Sequence, residues 1–219
     1  MLYLYALSEP PTTAPDVPGL DDTKLDVARV GEIDAVVSVL DRARVEASEK
    51  AILDHARVVD RLAESNDAVL PARFGRGFDD AAALRAAVAE RAADLERALE
   101  LVRGCAEVAL RALVPGDGAG TPAASGGDYM RTRLEEQRRT ERLAGELHEP
   151  LAAIARAATK SVGTGSELVL SAAYLVPREA IDDFNAQVAR LGGDHPDVTL
   201  ACTGPWPPYS FATVEPRSG

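Results

Sequence analysis

The 219-residue sequence has few aromatic residues, and its basic residues are outnumbered by acidic ones. Phe, Trp and Tyr make up only 5% of the chain, which disfavours a stacking platform for bases or sugars. The 35 Asp and Glu residues against 24 Lys and Arg residues give a formal net charge of −11. Phosphate backbones and anionic lipid would repel such a chain, so nucleic acid and membranes are not expected as partners.

Long apolar runs, targeting signals and cysteine clusters are also missing. No stretch approaches the roughly 18 apolar residues of a membrane span, and the opening M-L-Y-L-Y-A-L lacks the basic region of a signal peptide. These features predict a cytoplasmic protein. The two cysteines, Cys105 and Cys202, have neither C-x-x-C spacing nor the number for a disulfide framework, so we expect reduced thiols.

Apolar periodicity in the first half of the chain predicts a sheet with helices packed on it. Two β-branched runs separated by Gly31 and Glu32 indicate a hairpin, and an apolar stripe from Leu84 to Val102 indicates a long helix. The predicted elements are strands at 1–7, 25–30 and 33–40, a helix at 48–64 with Ile52 on its inner face, a short strand at 68–70 and a helix at 79–103.

The second half begins with a strand and a segment rich in Gly, Pro and Ala. This segment, 115–127, predicts a flexible linker because its residues bury little surface and are costly to order. The predicted elements are a strand at 107–114, a long helix at 128–160 bent at Pro150, a strand at 167–176, a helix at 178–191 ended by Gly192 and Gly193, and a strand at 198–203.

This order of elements predicts an α+β fold with two domains. The regular strand–helix alternation of a Rossmann fold is absent. We expect an N-terminal ferredoxin-like domain at 1–104 and a C-terminal α+β domain, a ferredoxin-like variant with a long helix, at 105–219. The first and last strands of such a domain are neighbours, so Cys105 and Cys202 are predicted to be cross-strand partners with Cα atoms about 4.5–5.5 Å apart.

No motif predicts catalysis, a cofactor or a metal. The three histidines are far apart and D-H-P-D at 194–197 is typical of a solvated turn. G-D-G-A-G at 116–120 lacks the strand and helix of a dinucleotide site. The chain is therefore not expected to be an enzyme.

The segment R-F-G-R-G-F at 73–78 leaves two interpretations open. Its Arg76-Gly77-Phe78 begins like an RNA-binding motif, but two aspartates follow and the net charge is wrong for RNA. An anion could bind beside Arg73 and Arg76 at the start of the next helix. The favoured interpretation is that Gly75 and Gly77 simply form a turn.

Two groups of residues resemble a known family. These are V-L-P-A-R-F-G at 69–75, and the C-terminal pair S-A-A-Y-L-V at 171–176 and C-T-G-P-W-P-P-Y-S-F at 202–211. Together with the opening Y-L-Y-A-L and A-V-V-S at 35–38, they resemble the gas vesicle protein GvpF/GvpL family nearly end to end. The proline-rich loop at 10–19 and the linker show no family pattern.

The resemblance implies a non-enzymatic role in building gas vesicles, the hollow protein shells that give cells buoyancy. It implies an assembly factor or minor structural component, in the cytoplasm and on the gas vesicle, that binds the hydrophobic main shell protein and other accessory proteins. It also implies the two-domain fold predicted above. The candidate partner contacts are the motif residues Arg73, Phe74, Gly75, Trp206, Tyr209 and Phe211.

Two further alternatives remain open at this point. A ferredoxin-like sensor or enzyme would use Arg73, Arg76 or His55 in a cleft between the domains. The arm G-P-W-P-P-Y-S-F has three prolines and is predicted to be extended. The favoured hypothesis is that Trp206 and its neighbours pin this arm to the core, and the alternative is that the exposed arm captures the shell protein.

Overall fold

A computed structural model of the chain describes residues 1–115, 126–163 and 167–212. The chain divides into two compact units, one formed by residues 1–106 with the segment from Trp206 onward, and the other by residues 107–205. The sequence analysis assigned this C-terminal arm to the second domain, because it follows the last strand directly. Most of the predicted linker, residues 116–125, lies outside the described residues.

The first unit contains a sheet in which β1 has the central position. The strand order is β2-β3-β1-β4, with β5 also paired to β1, and β1 is antiparallel to β3, β4 and β5. The elements are β1 (Leu2–Ser8), β2 (Leu25–Val30), β3 (Ile33–Val39), α1 (Glu49–Ser65), β4 (Val69–Pro71), β5 (Gly77–Phe78), α2 (Ala81–Glu90) and α3 (Ala92–Val102). The predicted α+β class, the hairpin and α1 are confirmed.

Strand β1 is buried on both of its faces. Tyr3, Tyr5 and Ala6 belong to the core cluster that includes inner residues of α1, whereas Leu4 and Leu7 line a small cavity together with residues of α2 and α3. A β-bulge between Leu4 and Ala6 shifts the register, so Leu4 and Leu7 share one face although they are three residues apart. Helices therefore cover both faces of the sheet at β1.

Helix α1 is capped by Ser48, whose side chain accepts a hydrogen bond from the Ala51 amide. Its inner face agrees with the predicted one at His55, Val59 and Leu62, which are buried. Ile52, expected on the same face, is 47% exposed, and Val58 is buried as well. The apolar stripe alone does not determine how the helix is rotated about its axis towards the core. Either residue 52 or residue 58 could join that stripe at helical spacing.

The predicted helix at 79–103 is interrupted at Arg91. This residue has φ −116° and ψ 14°, and it is both the C-cap of α2 and the N-cap of α3. The apolar stripe continues across the break, with Leu84, Val88, Leu95 and Leu99 buried. Neither glycine nor proline is present at the break, so the helix propensities of the residues do not predict it.

The second unit has the order β-α-β-β-α-β. Its sheet has the strand order β7-β8-β6-β9, and β7 and β8 are antiparallel. The elements are β6 (Cys105–Leu113), α4 (Gly126–Ala152), β7 (Ala157–Val162), β8 (Leu168–Pro177), α5 (Ile181–Asp194) and β9 (Thr199–Trp206).

Three predicted boundaries in this unit were wrong. The helix expected to reach Lys160 ends at Ala152, and the alanine-rich sequence after it forms β7, because pairing with β8 overrides its helix propensity. Helix α5 continues through Gly192 and Gly193, which a helix tolerates at a modest cost. Strand β9 runs on to Trp206, and as an edge strand it can accommodate Pro205.

A buried tyrosine–histidine pair lies in the core of the second unit. The Tyr174 hydroxyl on β8 is 2.9 Å from His148 Nδ1 on α4, and the Tyr174 ring also packs on Phe184 of α5. Burial lowers the pKa of His148, with a smaller contribution from Lys160 in the same direction. The hydrogen bond satisfies both polar groups inside an otherwise apolar cluster.

The strands that carry the cysteines are neighbours, as predicted, because β6 pairs with β9. Cys105 is buried and Cys202 is partly buried, and the two are not joined in a disulfide. Burial raises the pKa of the Cys202 thiol, which makes the reactive thiolate scarcer. The distance of about 4.5–5.5 Å expected between the Cα atoms of Cys105 and Cys202 stays a prediction.

Candidate partner-binding surface

The first motif segment, 69–75, is held along strand β1 by backbone hydrogen bonds. Strand β4 pairs with β1 from Val69 to Pro71, and the Ala72 amide then donates to the Tyr5 carbonyl at 2.8 Å. A turn follows in which the Arg76 amide donates to the Arg73 carbonyl at 3.1 Å. Gly75, the third residue of this turn, has φ +84°, which explains the glycine. The interpretation of Gly75 as a turn residue is thus confirmed, whereas Gly77, expected in the same turn, lies in strand β5 and pairs with Tyr3.

A buried chain of hydrogen bonds ties this segment to α1. The Tyr3 hydroxyl accepts a bond from the Gly75 amide at 3.1 Å and lies 2.9 Å from His55 Nδ1. The other ring nitrogen of His55, Nε2, is 3.1 Å from the Ala72 carbonyl and must carry the proton to donate to it. Nδ1 is therefore the acceptor of the Tyr3 hydroxyl proton. Both ring nitrogens of His55, the Gly75 amide and the Ala72 carbonyl therefore all have hydrogen-bond partners.

Burial sets the ionisation of this pair. It lowers the pKa of His55 to about 4, opposed by the hydrogen bond to the Ala72 carbonyl, and it raises the pKa of Tyr3 to about 12. Both groups are therefore neutral near pH 7. A neutral imidazole with both nitrogens bonded inside the core has a structural role, and it is not available as a general base.

Aromatic rings surround the Tyr3–His55 hydrogen bond. The Tyr5 ring stacks on His55 with centroids 5.6 Å apart, and the Phe74 ring meets His55 edge-on at 5.9 Å. Phe74 is also edge-on to Tyr3 at 6.4 Å. The motif residue Phe74 is therefore one wall of the cluster, and because it is only partly buried, its outer side reaches the surface.

The second motif segment turns back after β9 instead of staying extended. The Tyr209 amide donates to the Pro207 carbonyl at 2.8 Å and the Phe211 amide donates to the Pro208 carbonyl at 3.1 Å. Phe211, Pro207 and Pro208 are buried. The prediction of an extended arm thus holds as far as Trp206, where the strand ends, and fails beyond it because local hydrogen bonds close a turn.

The exposure of the arm's aromatic residues differs from the expectation. Trp206 was expected to pin the arm, but it is 51% exposed, whereas Phe211 is only 7% exposed. Tyr209 is 41% exposed overall, and burial of its hydroxyl end raises its pKa, with Asp60 and Tyr3 nearby adding to the effect. Phe211 therefore anchors the arm and Trp206 faces outward.

The two motif segments both lie beside Tyr3. Gly75 and Phe74 contact Tyr3 directly, and Tyr209 lies near enough for Tyr3 to add to the burial that raises the pKa of Tyr209. We call the surface formed by segments 73–75 and 206–211 the motif surface. Arg73 is exposed on it. Sequence reasoning missed Tyr3 beneath this surface, and it named His55 only as a residue of a possible cleft. The alternating tyrosines of the first strand were the available signal for Tyr3.

The described residues offer little for other kinds of site. Within 1–115, 126–163 and 167–212, no group of three or more His, Cys, Asp or Glu side chains is arranged to hold a metal ion. In the same ranges, no helix is both long enough and apolar enough to cross a membrane. The motif surface, which unites the two motif segments, is the candidate functional site considered below.

The chain was compared with known proteins. The family model described as "Gas vesicle synthesis protein GvpL/GvpF" matches residues 1–213. Among curated relatives, gas vesicle protein F2 of Halobacterium salinarum is 25% identical over 83% of this chain and 77% of its own length. Gas vesicle protein F1 of the same organism is 24% identical over 97% of this chain and 93% of its own length.

Two solved structures share the fold. The crystal structure of GvpF from Anabaena aligns with a TM-score of 0.81 at 19% identity, covering 98% of this chain and 96% of that one. GvpF from Microcystis aeruginosa aligns with a TM-score of 0.80 at 18% identity, covering 97% and 98%. The family match over nearly the whole length is decisive: the chain belongs to the GvpL/GvpF family of gas vesicle synthesis proteins and has a role in gas vesicle formation.

Proposed function

We propose that this chain is an assembly factor or minor structural component of gas vesicles that binds the hydrophobic main shell protein through the motif surface. The observation that supports this most directly is that both motif segments lie beside Tyr3. Two segments separated by about 130 residues in sequence form one surface, and they leave Trp206 and part of Phe74 accessible.

The chemistry of the motif surface suits an apolar partner. Trp and Tyr are the residues that most often dominate the energy of protein–protein contacts, because they bury large areas with few rotatable bonds. Trp206 and Tyr209 are each more than 40% exposed. Helix α1, whose Asp60 lies near Tyr209, also exposes Ile52 and Leu53. An amphipathic helix or strand of the shell protein could cover this apolar area.

The acidic charge complements this role. A formal net charge of −11 repels other copies of the chain, and it would keep a complex with an apolar partner from aggregating. The same charge disfavours nucleic acid and anionic membranes as partners. The proposal places the chain in the cytoplasm and at the gas vesicle, with other gas vesicle accessory proteins as further partners.

The competing hypothesis is a small-ligand sensor or enzyme that uses His55 or the neighbouring arginines. His55 is buried, neutral near pH 7 and bonded through both ring nitrogens. A catalytic histidine must reach the substrate with at least one nitrogen. These contacts favour the binding role.

Co-purification with the main shell protein tests the proposal. The two proteins are co-expressed with a tag on this chain, and the shell protein retained is measured for wild type, Trp206→Ser and Leu134→Ser. Leu134 is a matched control because it is an apolar residue of α4, 49% exposed, outside the motif surface. We expect Trp206→Ser to reduce retention at least tenfold and Leu134→Ser to leave it within twofold. Equal retention by both variants would overturn the proposal.

A further inference from the structure

The first part of helix α4 is exposed on all sides. Residues 130–139, 141 and 142 are exposed, so side chains on every face of the helix reach solvent. Burial begins only at Leu143 and Ala144, where the helix packs on the core of the second unit. A surface helix normally buries one apolar face, and one that is exposed all round depends on ion pairs along it or on a partner. This part of α4 is therefore a candidate docking surface.

The exposed part of α4 is basic although the chain is acidic. Residues 130–142 contain five arginines and three glutamates, against a formal net charge of −11 for the whole sequence. Arg138 and Arg142 are four residues apart, so they lie on one face with their Cβ atoms about 5–6 Å apart. Among the described residues, neither guanidinium group has an ion-pair partner. Like charges at this spacing repel each other, and an acidic surface that contacts both would relieve the repulsion.

An open groove of the first unit has the opposite charge. Its volume is about 570 Å³, and it is lined by helix α3, the segment after β1 and the turn between β2 and β3. Its charged lining residues are Glu9, Glu32, Glu96, Glu100, Arg97 and Arg103. Both arginines already contact a carboxylate, because one pairs with Asp94 and the other with Glu9. The remaining carboxylates give the groove an excess of negative charge.

Two of these carboxylates repeat the spacing of the arginine pair. Glu96 and Glu100 are exposed and four residues apart on α3, which places them on one face. Within 1–115, 126–163 and 167–212 neither has an ion-pair partner, although Glu100 lies near enough to Arg103 to contribute to its raised pKa. Because the residue spacing is the same on both helices, the glutamate pair and the arginine pair can form two ion pairs at once.

We infer that the acidic groove of the first unit binds the basic face of helix α4 in a second copy of this chain. The contact pairs Arg138 and Arg142 with the two glutamates of α3. Each copy presents both surfaces, so the contact is heterologous and can continue from one copy to the next. None of the contacting residues belongs to the motif surface, so the inference is independent of the proposed shell-protein binding.

The negative charge of the whole chain makes this contact selective. In most orientations of two copies, acidic surfaces face each other and repel. At physiological ionic strength this repulsion is screened over about 8 Å, while charges that are in contact and partly withdrawn from water are screened less. Exposed ion pairs are individually weak. We therefore expect a weak association that is confined to one pair of surfaces and decreases as salt is added.

Sedimentation equilibrium of the full chain tests this inference. The weight-average mass is measured over a range of protein concentrations in about 0.05 M and about 0.5 M sodium chloride. We expect the mass to rise with protein concentration, and the dissociation constant to increase at least tenfold between the low-salt and the high-salt buffer. A wild-type chain that stays monomeric at every concentration, or that associates more strongly at high salt, would overturn the inference.

Charge-reversal variants locate the contact. Arg138→Glu/Arg142→Glu reverses the helix face, and Glu96→Arg/Glu100→Arg reverses the groove. We expect each variant alone to associate at least tenfold more weakly than wild type. In an equimolar mixture, the intact helix of one variant meets the intact groove of the other, and the two reversed surfaces also have opposite charges. The mixture should therefore regain association within about threefold of wild type. Unchanged association of either variant alone, or a monomeric mixture, would overturn the inference.

A matched control changes the net charge without altering either surface. Arg44→Glu/Arg133→Glu also replaces two exposed arginines, one after the end of β3 and one on the face of α4 opposite Arg142. We expect its dissociation constant to stay within about threefold of wild type. The melting temperature of each variant reports whether it is folded. Equal weakening by this control and by Arg138→Glu/Arg142→Glu would assign the effect to net charge and overturn the inference.

Discussion

Tyr3 and His55 are joined by a buried hydrogen bond of 2.9 Å that links the central strand of the first sheet to helix α1. The same tyrosine hydroxyl accepts a bond from the Gly75 amide, and the same imidazole bonds the Ala72 carbonyl. The turn that carries the first family motif is therefore positioned by two side chains far from it in sequence. The shape of the motif surface depends on this pair.

Replacing Tyr3 with Phe should destabilise the first unit. The substitution keeps the ring and removes the hydroxyl, which leaves the Gly75 amide and His55 Nδ1 without their partner. An unsatisfied buried polar group costs about 1–3 kcal/mol, so we expect a loss of that size in urea denaturation. A change below about 0.5 kcal/mol would show that water or a local shift replaces the hydroxyl.

The stability of the first unit should fall as the pH drops from about 6.5 to 4. Burial holds the pKa of His55 at about 4 in the folded chain, against an ordinary value of 6.5 for an exposed histidine. The unfolded state therefore binds more protons in this range, and stability is highest above it and declines with acidification. This difference between the folded and unfolded pKa of His55 corresponds to about 3 kcal/mol in the free energy of unfolding, at about 1.36 kcal/mol per pKa unit.

A His55→Gln variant isolates this contribution, because an amide does not titrate. The free energy of unfolding of wild type and variant is measured at pH 7 and pH 5. We expect the wild type to lose about 2 kcal/mol more than the variant over this interval, since most of the titration range is crossed. Parallel losses in the two proteins would assign the acid sensitivity to other groups.

Substitution of Phe211 should loosen the C-terminal arm far more than substitution of Trp206. Phe211 is 7% exposed, and removing a buried phenyl ring costs about 3 kcal/mol or more. Trp206 is 51% exposed, so Trp206→Ala should cost less than about 1 kcal/mol. Thermal unfolding of both alanine variants measures the difference. A larger effect of Trp206→Ala would restore the sequence-based hypothesis that Trp206 pins the arm.

Gly75→Ala should be destabilising, although a Cβ at this position would meet no atom within 4 Å. The reason is the backbone, because φ of +84° lies in the region that costs other residues about 1–2 kcal/mol. Gly145→Ala is the matched control, since it adds the same Cβ in open space within helix α4. There we expect a gain of about 0.5–1 kcal/mol from helix propensity. A neutral Gly75→Ala would mean that the turn relaxes freely.

The sequence predicted elements whose signals are local. The Gly31 hairpin and the start of α1 at Ser48 depend on turn and capping chemistry within a few residues, and both are present. Strand β7 was missed because alanine at 157 and 158 favours helix, and only pairing with β8 makes this segment a strand. The break at Arg91 was missed because neither glycine nor proline marks it in the sequence.

The candidate site was predictable only as separate motifs. The residues of segments 69–75 and 202–211 were visible in the sequence, but their common position beside Tyr3 depends on the fold returning the C-terminal arm to the first unit. The exchange of roles between Trp206 and Phe211 depends on the turn after Pro207. The hydrophobic periodicity of the sequence does not predict such a turn.

Site-specific photo-crosslinking tests the central claim, that the motif surface binds the main shell protein, most directly. A photoreactive phenylalanine analogue is placed at Trp206, or at Leu134 as the exposed apolar control outside the surface. Both variants are irradiated in cells that assemble gas vesicles. The account predicts a covalent adduct with the shell protein from position 206 and little from position 134. Adducts of equal yield from both positions, or from position 134 alone, would contradict it.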